Sequence, residues 1–285
     1  MSENILNVDK LNKRYGDFSL NDVSFGLNKG CITGFIGQNG AGKTTTLSAL
    51  MRLINPDSGK VEFDGHAVRG TGDLMGISYL ESNRDLYPEV KMEEYKYFVS
   101  HAFKRTWNEN KYREYMKRFK VDKDTQIKNL STGMKEKFFL AVELAKQPKL
   151  LIMDEPTSGL DPLARNEFLK ILRDLVNKEG LTVFFSSHIT SDIEHIADNV
   201  IFIHNGKILL DMDNNEINSS FKRVDHDSYE KMPADKKKEI KESGIRNFDY
   251  YVVDTRKVKL EAGSSMENAG LDDVLTYLTG GEKVA

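Results

Sequence analysis

The sequence predicts a layered α/β protein whose core is interrupted by a helical insertion and followed by a small α+β unit. Three observations carry this. An apolar strand runs into a glycine-rich segment and a helical pattern, short apolar strands return after residue 149, and a stretch between them is patterned as helices. The first strand is Ile32-Thr33-Gly34-Phe35-Ile36, which leads into Gly37-Gln38-Asn39-Gly40-Ala41-Gly42. Apolar spacing at Leu47, Leu50 and Met51 marks the helix that follows, and Pro56-Asp57-Ser58-Gly59 stops it. Over residues 93–121, Phe98, Val99, Ala102 and Phe103 are expected to share one helical face, and Tyr112, Tyr115, Met116 and Phe119 repeat that spacing. Both stripes read as packing surfaces. Strands are expected again at 150–153, 182–186 and 200–204, with a helix over 162–177. After about Asp211 the composition shifts. Residues 221–243 are dense in charge, Lys236-Lys237-Lys238 reads as a solvated helix face, Tyr250-Tyr251-Val252-Val253 and Val258-Lys259-Leu260 read as short strands, and 271–278 as a closing helix.

Composition narrows the function classes. The 285 residues carry 41 Lys+Arg against 44 Asp+Glu, a formal net charge of -3, which argues against a general nucleic-acid coat protein. With 39% hydrophobic and 30% charged residues the chain is ordinary globular material. Apolar runs such as Leu150-Leu151-Ile152-Met153 and Val200-Ile201-Phe202-Ile203 fall far short of the roughly 18 residues of a membrane-spanning helix. The opening MSENILNVDK has no apolar stretch, so no secretory signal is expected. Cys31 is the single cysteine, can form no internal disulfide, and reads as a small core residue of a protein kept in a reducing compartment.

The chemistry begins at Gly37, where G-x-x-x-x-G-K-[ST] falls between a predicted strand and a predicted helix. In that context glycines let backbone N–H groups close around phosphates, and the helix N-terminus adds its positive end. Asn39, Gly40, Ala41, Gly42, Lys43, Thr44 and Thr45 are therefore the candidate phosphate-binding residues, with Lys43 on the β- and γ-phosphates and the Thr44 hydroxyl on Mg²⁺. Downstream, Leu150-Leu151-Ile152-Met153-Asp154-Glu155 is an apolar strand ending in two acids, the Walker B arrangement. Asp154 is the candidate Mg²⁺ residue, and Glu155 the candidate general base or water-orienting group.

Shortly before that strand, Leu130-Ser131-Thr132-Gly133-Met134 resembles the LSGGQ signature of the ATP-binding cassette (ABC) ATPases. Ser158-Gly159-Leu160-Asp161 is similar to the family's D-loop, His188 stands where its switch histidine belongs, and Tyr15 matches the aromatic that stacks on adenine. The likeness covers residues 4–212. It implies a RecA-like P-loop NTPase core with an antiparallel β subdomain and an inserted helical subdomain at about 77–149, together a nucleotide-binding domain over 1–212, with a C-terminal accessory domain over 213–285. It also implies that ATP with Mg²⁺ is sandwiched between two cassettes, Ser131, Thr132 and Gly133 of one binding the γ-phosphate held by the other, while Asp161 belongs to the D-loop and His188 helps position the attacking water. Read alone, Ser131-Thr132-Gly133 is also an ordinary helix start.

Three positions depart from the pattern, two in the signature and one in the Q-loop. Thr132 and Met134 replace the commonest Gly and Gln, which resembles bacterial drug-, ion- and peptide-export cassettes, as does Leu271-Asp272-Asp273-Val274-Leu275-Thr276-Tyr277-Leu278-Thr279-Gly280. The family's Q-loop glutamine is missing. Aligning Ile77-Ser78-Tyr79-Leu80 places Ser82 there, with Glu81 and Asn83 alongside, and Ser82 is preferred because the spacing to Leu86-Tyr87-Pro88 then needs no gap.

The resemblance implies an ATPase subunit of a membrane transporter, an exporter by likeness, working beside a second cassette beneath a separately encoded transmembrane permease, at the cytoplasmic face of the cell membrane. The permease groove would lie between the Q-loop and the inserted helices, where Arg84, Leu86, Tyr87, Tyr95 and Tyr97 stand. The competing reading is a soluble cassette ATPase acting on nucleic acid or ribosomes. One cassette per chain, near-neutral charge, no coiled-coil insertion and no cysteine clusters for zinc speak against it, and no nucleic-acid partner is expected.

Overall fold

A computed structural model describes residues 3–82, 89–121, 126–247, 249–258 and 266–280. The chain opens with the hairpin β1 (Asn4–Tyr15) and β2 (Phe18–Asn28), then β3 (Ile32–Ile36) leads through the glycine-rich loop to α1 (Lys43–Leu50). After β4 (Ser58–Phe63), β5 (His66–Ala67) and β6 (Ile77–Leu80) come the helices α2 (Met92–Ala102), α3 (Glu109–Arg118) and α4 (Thr132–Ala145). The core resumes with β7 (Leu150–Met153), α5 (Pro162–Glu179), β8 (Thr182–Ser187), α6 (Thr190–Ile196), β9 (Asn199–His204) and β10 (Lys207–Asp213). The C-terminal unit is α7 (Asn214–Ser220), β11 (Phe221–Asp225), α8 (His226–Lys231), α9 (Ala234–Ser243), β12 (Ile245–Arg246), β13 (Tyr250–Asp254), β14 (Met266–Asn268) and α10 (Leu271–Leu278).

The central sheet has the order β10-β9-β3-β8-β7-β6, parallel from β9 to β6, with β10 antiparallel at its edge. Strands buried on both faces read as continuous apolar runs, which is why β3, β7 and β8 are buried throughout. One face is covered by an antiparallel sheet of order β2-β1-β4-β5. Phe25 of that sheet meets Phe35 and Phe184 at ring-centroid distances of 6.0 and 5.5 Å. The other face carries α5 and α6. Asp161 caps α5 by accepting from Leu163 N and Ala164 N, Pro162 fills its first position, and Gly180 ends it with φ +69°.

Several expectations change at this level. Ile77–Leu80 pairs in register with β7, so that segment belongs to the central sheet and the insertion consists of α2, α3 and α4 rather than all of 77–149. In α3 the expected stripe is buried, with Tyr112, Tyr115, Met116 and the following Phe119 packed into the core. In α2 the inward face is Met92, Tyr95 and Val99, while Phe98 and Phe103 are 67% and 46% exposed. Apolar spacing cannot tell which side of a short helix a neighbour will cover. Val258 lies in a turn closed by its N–H to Asp254 O at 3.0 Å, not in a strand, and Lys259 and Leu260 fall outside the described residues. Cys31 is half-buried rather than in the core, and burial pushes its thiol pKa up.

The C-terminal unit is an antiparallel sheet of order β12-β13-β11-β14 with α10 against it. Its apolar face is continuous with the core of the nucleotide-binding part, because Leu271, Val274 and Leu275 of α10 join the same cluster as Ile193 and Ile196 of α6. The lysine triplet of α9 is paired throughout, with Lys236 on Glu239, Lys237 on Glu230 and Lys238 on Glu242, but only Lys238 is exposed, Lys236 and Lys237 being half-buried.

Candidate nucleotide site

The site is assembled where β3, β7 and β8 end. The loop after β3 is shaped by glycine: Gly42 has φ +112°, and a Cβ there would lie 2.8 Å from Leu20 Cδ2 and 2.9 Å from Phe18 Cζ of β2. Only glycine permits both that backbone and that approach. Asn39 and Gly40 are exposed at the loop tip, Ala41, Gly42 and Lys43 are buried, Thr44 is exposed and Thr45 half-buried. Lys43 donates to Gly37 O at 2.6 Å and Gln38 O at 3.2 Å, and its ammonium lies 3.2 Å from Glu155 Oε1.

Asp154 is fully buried at the end of β7. Burial of a carboxylate requires compensating donors, and three hydroxyls supply them. Thr44 donates to Oδ2 at 2.8 Å, Ser186 to Oδ1 at 2.5 Å, and Ser82 approaches Oδ2 at 3.4 Å. Glu155 follows with its side chain 16% exposed. Its second oxygen, Oε2, lies 2.7 Å from His188 Nδ1, so Glu155 bridges Lys43 and His188. Ser186 also accepts from Glu155 N at 2.9 Å. Sequence reasoning passed over Ser186. The signal was available as a hydroxyl pair, Ser186-Ser187, closing an apolar strand just before His188.

Hard oxygens from Thr44, Asp154 and Ser82 suit Mg²⁺, which takes one or two carboxylates and completes its shell with phosphate and water. Among the described residues no cluster of three or more His, Cys, Asp or Glu stands together at metal-binding spacing.

Tyr15 is half exposed at the β1–β2 turn, 52% by relative area, and the Lys13 ammonium sits 5.6 Å from its ring centroid. Lys13 and Arg14 N–H are in turn held by Asp57 at 2.9 and 2.8 Å, and the Lys13 bond leads in keeping the Asp57 carboxyl below the usual carboxylate range. The remaining candidates form a second group. Ser131 caps α4, accepting from Met134 N at 3.3 Å. A Cβ on Gly133 would lie 3.3 Å from Ala164 Cβ and 3.8 Å from Leu160 Cδ2, and one on Gly159 would lie 3.9 Å from Thr132 Cγ2. Ser131, Thr132 and Asp161 thus share an exposed surface with the D-loop, and Gly133 packs toward Leu160 and Ala164 rather than toward its own P-loop. Of the expected groove residues, Arg84, Leu86 and Tyr87 lie outside the described residues, as does Asn83. Tyr95 packs edge-on against Phe138 and Phe139 at 5.8 and 5.3 Å, and Tyr97 is exposed.

A lysine-bearing glycine loop facing a buried aspartate and a glutamate–histidine pair, at the ends of parallel strands, defines a P-loop nucleoside triphosphatase. The chain belongs to the ABC transporter family: the family profile, described as "ABC transporter", matches residues 20–158. The lantibiotic transport ATP-binding protein SrtF of Streptococcus pyogenes is 34% identical over 218 residues, 73% of this chain and 90% of SrtF. The bacitracin transport ATP-binding protein BcrA of Bacillus licheniformis is 33% identical over 216 residues, 72% of this chain and 68% of BcrA. A solved ATP-binding subunit of an ABC transporter superposes with a TM-score of 0.67 at 27% identity, covering 75% of this chain and 92% of that one. The chain is therefore a transporter ATPase, which binds and hydrolyses ATP, and not a cassette of the nucleic-acid class. No described helix is long and apolar enough to cross a membrane.

Proposed function

We propose that this chain hydrolyses ATP at a site shared with a second cassette, and that it drives export through a separately encoded permease at the cytoplasmic face of the membrane. The observation that carries this is the unbroken chain Lys43–Glu155–His188 beside the Thr44–Asp154 bond. An incoming triphosphate replaces Glu155 as the partner of Lys43, which frees one carboxylate oxygen to accept a proton from water while His188 orients the other. Thr44, Asp154 and Ser82 would hold Mg²⁺, which supplies charge neutralisation of the phosphates. The exposed Ser131 and Thr132 are suited to complete the site of a partner cassette, because hydroxyls and the N–H groups of a helix start donate hydrogen bonds to an anion, and Asp161 stands beside them as the cap of α5. Closure of the pair by ATP then moves the permease, since ATP makes contacts in the closed state that the open state lacks. Relatives named for lantibiotic and bacitracin transport favour an antimicrobial compound as cargo among drugs, peptides and ions. Copurification from native membranes tests the assignment: a polytopic membrane protein is expected, and recovery on ribosomes or nucleic acid would overturn it.

The permease surface is best placed in the cleft between the core and the insertion, about 520 Å³ and lined by Met51, Leu53, Leu74, Met75, Tyr79 and Phe103. Leu53 and Met75 are each 58% exposed there, an apolar groove of the sort that accepts an amphipathic helix. A Leu53→Asp, Phe103→Asp double variant should lose association with permease-containing membranes while its ATP turnover persists. Retained association would remove the cleft from this role.

Ser82 and Glu81 give a further expected result. Because Ser82 Oγ already approaches Asp154 Oδ2 at 3.4 Å, Ser82→Ala should raise the Mg²⁺ concentration needed for half-maximal hydrolysis, and Glu81→Ala should not. If neither variant shifts the Mg²⁺ titration, the loop serves coupling to the permease rather than the metal.

A further inference from the structure

Helix α6 is only seven residues long, yet it meets three separate parts of the molecule. Its first residue, Thr190, follows His188 by two positions. Ile193 is pressed against β3, where a Cβ on Gly34 would come within 2.5 Å of its Cδ1. Glu194 accepts from Leu271 N at the start of α10. The remaining polar residue on its inner side is Asp192, 2% exposed and without a part in the site described above. Its Oδ2 accepts from Thr157 Oγ1 at 2.6 Å, and Arg165 Nε of α5 lies 3.9 Å from its Oδ1. Thr157 is itself fully buried. A carboxylate withdrawn from water this far is retained only where its partners are fixed.

What Thr157 fixes is the turn that carries Glu155. Glu155 has φ +50°, a left-handed backbone that a residue with a side chain rarely adopts and that persists only where its surroundings impose it. Three bonds impose it here. Glu155 N donates to Ser186 Oγ at 2.9 Å, Ser158 N donates to Glu155 O at 3.1 Å, and the Thr157 hydroxyl, just past Pro156, is anchored on Asp192. The first ties the turn to β8. The last ties it to the helix that begins behind His188.

We infer that Asp192 is a positioning residue for the Glu155–His188 pair: through Thr157 it locks the glutamate's turn and the histidine's helix in one register. This rests on the assignment of Glu155 and His188 to hydrolysis. Without the tether the turn is free to relax toward negative φ, which re-aims the carboxylate, while the P-loop backbone, built on β3 and α1, stays in place and Lys43 loses only its Glu155 contact. The loss should therefore fall on the chemical step and spare nucleotide binding.

The test uses the full chain and four variants: Thr157→Val, which keeps shape and removes the donor; Thr157→Ser, which restores it; Thr157→Ala, which reads the same loss should valine not fold; and Glu155→Gln. Turnover, KM, ATP affinity and melting temperature are measured for each. Thr157→Val should lower kcat about tenfold or more, since small misplacements of a reacting group carry losses of that order, with ATP binding no weaker than the parent's, and Thr157→Ser should restore kcat. The inference is overturned if Thr157→Val and Thr157→Ala keep the parent kcat, if serine fails to restore it, or if only the melting temperature falls. Glu155→Gln separates the two levels. If it turns over normally, the hydrolytic pair itself is misassigned; if it is dead while Thr157→Val is unimpaired, only the positioning role fails.

Discussion

Replacing Glu155 by glutamine is expected to lower ATP turnover by about 100-fold or more, the usual scale for removing a positioned general base, and to tighten ATP binding. The two effects share one cause. Glu155 Oε1 sits 3.2 Å from the Lys43 ammonium, and Oε2 sits 2.7 Å from His188. A triphosphate must displace the carboxylate from Lys43 and then tolerate its charge nearby. The amide competes less for the lysine and carries no charge, so bound ATP is favoured, but it cannot take a proton from water. Hydrolysis stalls with nucleotide in place, and by the shared-site reading the stalled species is a dimer. Phosphate release, ATP affinity by isothermal titration, and light scattering with and without Mg·ATP measure the three parts. Near-normal turnover would remove Glu155 from its role, and a monomer under saturating Mg·ATP would count against the second cassette.

Elements whose residues are buried on all sides, or whose ends are chemically capped, were legible before any coordinates. The strands Ile32–Ile36 and Leu150–Met153 and the helix Leu271–Leu278 stand at the expected positions, because uninterrupted apolar runs and a 3.6-residue period leave few alternatives. The P-loop was legible for a different reason: its glycines answer a backbone demand, and Gly42 with φ +112° under Phe18 and Leu20 is where that demand is strictest. What stayed hidden is tertiary. Ser186 serves Asp154 from a strand 32 residues away, and Thr157 reaches Asp192 across 35 residues; a lone hydroxyl gives no sign of its partner. Periodicity shows that α10 has a face to bury but not that α6 covers it, so a separately drawn C-terminal unit turns out to share one core with the nucleotide-binding part. Phe98 illustrates the converse, an apolar residue at helical spacing that is left 67% exposed among the described residues.

Lys43→Ala should be the most damaging change to nucleotide binding. A charge-assisted hydrogen bond contributes about 1.5–3 kcal/mol, so losing the one from Lys43 to the phosphates should weaken ATP binding by about 10- to 150-fold at 1.4 kcal/mol per tenfold. A second effect follows from where the ammonium sits. Its side chain is 6% exposed and donates to Gly37 O and Gln38 O. Truncation removes the donor to Gly37 O, while Gln38 O keeps Ala41 N at 3.1 Å, and leaves Glu155 to His188 alone, so the nucleotide-free chain should also melt at a lower temperature. Arginine does not repair the site, because a planar guanidinium is broader than the ammonium that this pocket encloses and spreads its donors in a fixed fork. Lys43→Ala, Lys43→Arg and the parent should therefore be compared for ATP affinity and for melting without nucleotide. A folded Lys43→Ala chain that binds ATP as tightly as the parent would show that the loop's backbone N–H groups hold the phosphates unaided, and that the lysine's contacts to Gly37 and Gln38 are its main purpose.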